Sequence, residues 1–115
     1  MPDCIFCRIV AGEIPSNRVL EDEHLIAFRD IQPAAPVHVL VVPRRHVESL
    51  AALEDGDAEL AGRLMAAARD VARQEGVAES GYRVVINTGA HGGQTVGHLH
   101  VHVLGGRQLS GHGTA

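Results

Sequence analysis

The 115-residue sequence predicts one α+β domain, in which one main helix packs on a mostly antiparallel sheet of about five strands. Several short segments are rich in β-branched and apolar residues, one long segment has helical periodicity, and no strand–helix unit repeats along the chain. A chain of this length can bury a core without disulfide bonds. We expect the domain to span residues 1–115, with a glycine-rich tail from about residue 105.

The predicted elements follow the chain in a simple order. Residues 4–10 form a short apolar helical turn, and the predicted strands are residues 19–21, 24–30, 37–42, 82–87 and 98–103. The main helix begins near Asp57, a suitable N-cap, and ends before Gly76. Its apolar stripe recurs with helical spacing and consists of Leu60, Leu64, Ala67, Ala68, Val71 and Ala72.

The last predicted strand carries three histidines, His98, His100 and His102, which alternate with apolar residues. Side chains of a strand point alternately to its two faces, so the three imidazoles are expected on one face and the apolar residues in the core. Imidazoles on one face lie about 6.6 Å apart, close enough to share one small anionic group. Residues of this type also bind zinc or copper, so a metal site made by the three histidines is an alternative.

A glycine-rich loop leads directly into the histidine strand. Gly92 and Gly93 allow backbone N–H groups to approach an anion, and Gln94 and Thr95 add side-chain donors. His38 interrupts an apolar strand that an antiparallel sheet can place beside the histidines. These features favour phosphate chemistry at this edge of the sheet.

Two further features suggest binding. Asp30 follows a strand and could accept hydrogen bonds from a ribose, although the residue pattern by itself favours an ordinary strand-end carboxylate. Cys4 and Cys7 have the spacing of half a zinc site, for which His46 and His98 are candidate partners. Two buried cysteines that only pack in the core are the alternative.

Composition limits the functional classes. The formal net charge is −4 and the 10 Lys and Arg residues are scattered, which argues against a nucleic-acid-binding surface. No apolar segment is long enough to cross a membrane, and the first residues lack the pattern of a secretion signal. We therefore expect no membrane partner and a cytoplasmic location.

The assembled motifs resemble the histidine triad (HIT) superfamily, whose signature here is His98-Leu99-His100-Val101-His102-Val103-Leu104. The resemblance covers nearly the whole chain and is closest to the Hint branch, the purine nucleoside phosphoramidases. The segments that carry it are Ile14-Pro15, Phe28-Arg29-Asp30-Ile31, Pro36-Val37-His38-Val39-Leu40, Gly92-Gly93-Gln94 and Leu104-Gly105-Gly106-Arg107. The chain departs from that branch at Thr95, where serine is common, and at Gly97, where an aromatic residue is common.

This resemblance implies a hydrolase that cleaves the P–N bond of purine nucleoside 5′-phosphoramidates and releases AMP. It implies His100 as the nucleophile, His102 and Thr95 as phosphate ligands, and His38 and His98 as aids to the leaving group. Asp30 would bind the ribose, and Asn87, Gly93 and Gln94 would complete the phosphate side. The apolar residues implied in the base-binding slot are Ile5, Phe6, Ile9, Phe28, Ile31 and Leu40.

The resemblance also implies a homodimer whose two sheets join across the interface, and chemistry that requires no metal. It allows a structural Zn²⁺ held by Cys4, Cys7, His46 and His98, an assignment that competes with a catalytic role of His98. The alternative functions are a nucleotide-binding or interaction module with little catalysis, and a HIT hydrolase of dinucleoside polyphosphates.

Overall fold

The structure is a computed structural model that describes residues 4–111. Within these residues there are two helices and five strands: α1 Ile5–Val10, β1 Arg18–Glu21, β2 Leu25–Arg29, β3 Val37–Pro43, α2 Ala58–Gln74, β4 Tyr82–Val85 and β5 Val101–Gly105. Short 3₁₀ turns at Leu50–Ala52 and Asp55–Asp57 precede α2. Within the described range, neither helix has the length and apolar character needed to span a bilayer.

The five strands form one sheet in the order β1-β2-β3-β5-β4, and every neighbouring pair is antiparallel. This arrangement confirms the predicted α+β class, the antiparallel sheet and the single main helix. Strand β3 is central, which explains why it is buried on both faces. In the pairing of β3 with β5, Leu40 lies opposite His102 and His38 lies opposite Leu104.

Helix α2 covers one face of the sheet with the predicted apolar stripe. Leu64, Ala67, Ala68, Val71 and Ala72 are buried against a cluster that includes Val39, Val41, Val101 and Val103. The helix ends as predicted at Gly76, whose N–H donates to the Arg73 carbonyl at 3.2 Å, while the N–H of Val77 donates to the Ala72 carbonyl at 3.0 Å. Leu99, Val101 and Val103 thus lie on the α2 side, as their alternation with histidine predicts.

The opposite face of the sheet is covered in part by α1. Phe6 and Ile9 of this helix pack on Ile26, Phe28 and Leu40 in a second, smaller cluster. The rings of Phe6 and Phe28 meet edge to face with centroids 5.7 Å apart. Because the histidines alternate with residues buried under α2, their side chains lie on this second face.

Several predicted boundaries are wrong. Strand β5 begins at Val101 rather than at residue 98, because the N–H of Leu99 donates to the Val47 carbonyl at 2.6 Å instead of joining the ladder with β3. Strand β4 ends at Val85, two residues early. Asp57 stands at the N-cap position, but its carboxylate accepts from the Glu54 N–H and from Arg45 rather than from α2.

The C-terminal tail is only partly described. Gly105, where we expected the tail to begin, is the last residue of β5. Beyond it, the Arg107 guanidinium donates to the Ala34 carbonyl at 2.9 Å, and Arg83 of β4 donates to the Ser110 carbonyl at 2.9 Å. Residues 112–115 of the predicted tail lie outside the described range.

Candidate active site

His100 is held in one orientation by its own chain. Its Nδ1 lies 2.7 Å from the backbone carbonyl oxygen of His98, which can only accept, so Nδ1 carries the proton. In the neutral ring the lone pair is therefore on Nε2, and none of residues 4–111 is hydrogen-bonded to that nitrogen. The edge of Phe6 packs on the ring at a centroid distance of 5.1 Å. His100 thus presents an unprotonated nitrogen to the cleft that it lines.

His38 and His102 form a hydrogen-bonded relay on the same face. The N–H of Ala34 donates to Nδ1 of His38 at 2.9 Å, which places the proton of neutral His38 on Nε2. That nitrogen lies 2.9 Å from Nδ1 of His102 and donates to it. The proton of His102 is consequently on its own Nε2, which is buried and has no partner within residues 4–111. An unpaired buried N–H is costly and marks a position where a ligand can accept a hydrogen bond.

Burial keeps both rings of this relay neutral at pH 7. Desolvation, followed by repulsion from His100 and His38, lowers the pKa of His102 to about 4. Burial also lowers the pKa of His38, and the Asp30 carboxylate, 3.5 Å from its Nε2, opposes this shift. The tautomers set by the hydrogen bonds are therefore the states present at neutral pH.

His100 and His102 border a cleft of about 450 Å³ between α1 and the end of β2. Ten of the predicted site residues line it: Ile5, Phe6, Ile9, Phe28, Asp30, Ile31, Leu40, Thr95, His100 and His102. The walls are apolar at the α1 end, while Asp30, Thr95 and the two histidines supply the polar groups. An apolar slot with a few convergent polar groups is typical of a small-molecule site.

Other predicted residues do not line this cleft. Gln94 braces the glycine-rich loop: its Nε2 donates to the carbonyls of Glu48 and Val96 at 2.7 and 2.9 Å, and its Oε1 accepts from the Gly89 N–H. Its side-chain donors are therefore used within the protein. Neither Asn87 nor Gly93 lies at the cleft wall, and His38 reaches the cleft only through His102.

Four predicted metal ligands converge beside the cleft. One nitrogen or sulfur atom from each of Cys4, Cys7, His46 and His98 lies within 4.8 Å of all the others. Nδ1 of His98 is 3.3 Å from the Cys4 sulfur, and Nδ1 of His46 is 3.2 Å from the Cys7 sulfur. Burial, and then the neighbouring Cys4 thiol, raises the pKa of Cys7. A cation among these donors would reverse that effect by binding the thiolates.

His98 belongs to this group and not to the cleft. The ring is fully buried, and its Nε2 donates to the Pro43 carbonyl at 2.9 Å, which leaves the Nδ1 lone pair facing the sulfurs. The structure therefore does not bring the His98 side chain to the leaving-group position that the resemblance implies. Its backbone carbonyl still contributes, because it orients His100.

Several cleft residues were not anticipated from the sequence as ligand contacts: Ile14, Pro15, Ser16, Arg29, Gln32 and Val96. They lie in loops or at strand ends, where no periodicity marks a side chain as facing a ligand. Ser16 carries a buried hydroxyl without a partner among the described residues. The sequence signals for this group are the presence of Ile14, Pro15 and Arg29 in segments that carry the resemblance, and the position of Gln32 and Val96 close to Asp30 and Thr95.

The chain is similar to several known proteins. The model of the HIT domain family matches residues 11–109. The chain is 44% identical to a purine nucleoside phosphoramidase of Escherichia coli over 93% of this chain and 90% of that protein. It is 51% identical to a 14 kDa zinc-binding protein of Zea mays over 92% of this chain and 84% of that protein. A crystal structure of a HIT family hydrolase from Legionella pneumophila superposes with a TM-score of 0.92 at 45% identity, covering 94% of this chain and 96% of that one.

The depressed pKa of His102 predicts that acid destabilises the fold. In the unfolded chain the imidazole of His102 has a pKa near 6.5 and is protonated below that pH. In the folded protein the same ring is protonated only near pH 4. Its contribution to the free energy of unfolding is complete above pH 6.5 and is lost as the pH falls toward 4, by about 2–3 kcal/mol. Urea unfolding at a series of pH values measures this loss. The loss should be smaller in His102→Gln and unchanged in His24→Gln, and an equal pH dependence in His102→Gln would contradict the assignment.

Proposed function

Because the chain belongs to the HIT domain family, we propose that it hydrolyses the P–N bond of purine nucleoside 5′-phosphoramidates and releases AMP. The observation that carries the proposal is the opposite polarity of two neighbouring imidazoles. His100 offers a lone pair at Nε2, while His102 offers an N–H at Nε2 without a protein partner among the described residues. One ring is therefore suited to attack phosphorus and the other to hold a phosphate oxygen.

The reaction proceeds in two displacements. Nε2 of His100 forms a bond to the α-phosphorus while the P–N bond breaks, and the nitrogen takes the electron pair and a proton from solvent and leaves as the free amine. Water then attacks the same phosphorus and forms a P–O bond, the electron pair of the bond to His100 returns to Nε2, and a proton of the water goes back to solvent. The net change consumes one water and yields AMP and the amine.

His102 and Thr95 stabilise the negative charge on the phosphate oxygens. The N–H of His102 donates to a non-bridging oxygen, and Thr95, an exposed residue that lines the same cleft, supplies a hydroxyl donor. His38 fixes the tautomer of His102 through the 2.9 Å hydrogen bond and so acts as a positioning residue. Burial of this pair makes its hydrogen bonds to phosphate stronger than they would be in water.

The nucleoside occupies the rest of the cleft. Phe6, Ile9, Phe28 and Leu40 are buried and form an apolar wall suited to a purine ring. Asp30 ends β2 at the rim, where its carboxylate can accept hydrogen bonds from ribose hydroxyls. Ile31 is 92% exposed, so a bound base would remove this side chain from water.

We also propose a structural Zn²⁺ held by Cys4, Cys7, His46 and His98. Two thiolates and two imidazoles form a closed tetrahedral donor set, and the His98–Pro43 hydrogen bond is the outer contact that such a ligand usually has. The ion would join α1 to the segments that precede α2 and β5. In this role it supplies no step of the hydrolysis.

A homodimer remains part of the proposal. Strand β4 is an edge of the sheet and exposes Tyr82 and Val84, at 38% and 39% of their surface. An exposed edge with apolar side chains is a suitable place for a second sheet to join.

The assignment of His100 as the nucleophile predicts how the His100→Ala substitution changes AMP release and AMP binding. This variant should lose at least about a thousandfold in AMP release from adenosine 5′-phosphoramidate while still binding AMP. Wild-type protein quenched during turnover should carry an adenylyl group on His100, detected by peptide mass spectrometry. His24→Ala serves as the matched control. Turnover that survives in His100→Ala would refute the mechanism, and AMP binding without turnover in the wild type would identify a binding module.

The metal assignment predicts one zinc ion per chain by elemental analysis of protein produced with zinc present. Cys7→Ala should lose the ion and melt at lower temperature, because α1 is then no longer joined to His46 and His98. His91→Ala, which removes an exposed histidine of the glycine-rich loop, should keep it. Wild-type protein without zinc, or Cys7→Ala with full zinc content, would exclude the site.

A further inference from the structure

Gly97 is a glycine that the fold does not require. It is not among the residues with a positive φ, so its backbone conformation is open to any amino acid. A Cβ atom at this position would meet only Cγ of Glu48, at 3.9 Å, which is ordinary van der Waals contact. Neither backbone strain nor close packing accounts for the missing side chain, and its effect is to leave space beside the active site.

That space is a second cleft of about 450 Å³. It shares Ile5, Thr95 and Val96 with the nucleotide cleft, so the two clefts meet at the position proposed for the phosphate. A third cleft of about 530 Å³ continues beyond it and shares Thr95, Glu48 and Gly97. The three clefts therefore form a continuous trough in which Thr95 lines every part.

Of the residues that the structure describes, Glu48 is the one acidic side chain that lines the second cleft. Its backbone is fixed, because its carbonyl accepts from Gln94 at 2.7 Å and the preceding Val47 carbonyl accepts from Leu99. Within residues 4–111, no ion pair engages its carboxylate, and the nearby Arg45 is bound to Asp57 at 2.7 Å. Among the described residues, the trough thus carries one carboxylate that no ion pair engages, beside Thr95 and next to the Cys4 and His46 side chains.

We propose that this second cleft is the leaving-group subsite and that Glu48 selects amines that carry an additional cationic group. The inference rests on the proposed phosphoramidase function and adds the class of amine to it. With the nucleoside on the apolar wall, a substituent on the phosphoramidate nitrogen extends past Thr95 into the space that Gly97 leaves open. An ammonium group several bonds further along the substituent then lies near Glu48.

Three adenosine 5′-phosphoramidates test the proposal: the unsubstituted compound, the pentylamine derivative and the 1,4-diaminobutane derivative. The last two have the same number of heavy atoms in the substituent, and only the last has an ammonium group. Glu48→Gln should lower kcat/KM for the diamine substrate about two- to fivefold and leave the other two unchanged. The ratio of kcat/KM for the diamine substrate to kcat/KM for the pentylamine substrate is compared between wild type and variant. This comparison cancels the intrinsic difference in reactivity between the two leaving groups.

Gly97→Phe fills the cleft and should lower kcat/KM for both substituted substrates about tenfold or more, while the unsubstituted compound keeps its rate. Gly97→Ala controls for loss of the glycine without filling the cleft. An unchanged diamine-to-pentylamine ratio of kcat/KM in Glu48→Gln would overturn the proposal. Equal losses of kcat/KM on all three substrates in a folded Gly97→Phe would overturn it as well. If Gly97→Phe does not fold, the ratio measured in Glu48→Gln decides. Failure of the wild type on the unsubstituted compound would instead refute the phosphoramidase function itself.

Discussion

The antiparallel pairing of β3 with β5 is the constraint on which the site depends. In this register Leu40 lies opposite His102, and His38 is two residues away along β3 on the same face. Diagonal neighbours in a sheet are close enough for long side chains to meet, and the two imidazoles do so at 2.9 Å. A shift of one residue would turn His102 toward α2 and bury it among valines. The packing of Val101 and Val103 under α2 therefore also secures the chemistry of the opposite face.

Backbone carbonyls and amides decide what each histidine can do. The Ala34 N–H sets the tautomer of His38 and, through it, that of His102, while the His98 carbonyl sets that of His100. His98 links the two centres of the molecule, because its ring faces the cysteines and its carbonyl orients the proposed nucleophile. A rearrangement of Cys4, Cys7, His46 and His98 would consequently change the orientation of His100, because the His98 carbonyl holds the His100 ring. The three histidines of the motif are thus unequal, although they alternate regularly in sequence.

Much of the architecture could be predicted from the sequence because periodicity reports burial. The stripe of α2, the alternation around His100 and the apolar run of β3 each identify a face, and each was confirmed. The spacing of Cys4 and Cys7 indicated half a zinc site with His46 and His98 as candidate partners, and the family resemblance implied the same four residues, which converge in the structure. Hydrogen bonds between distant loops were beyond prediction. The Leu99–Val47 bond shortens β5, and the donors of Gln94 are used by Glu48 and Val96, contacts that depend on the tertiary fold alone.

The tautomers of His100 and His102 are the centre of this account, and ¹⁵N NMR of the imidazole nitrogens at neutral pH measures them directly. We predict that the neutral ring of His100 has a protonated Nδ1 and a bare Nε2, and that His102 has the reverse pattern. In the His38→Ala variant, His102 should no longer be held in one tautomer, whereas the tautomer of His100 should be unchanged. Of these two rings, only His102 is hydrogen-bonded to His38. A protonated Nε2 on His100, or a protonated Nδ1 on His102, in the wild-type protein would contradict the assignment of nucleophile and phosphate ligand.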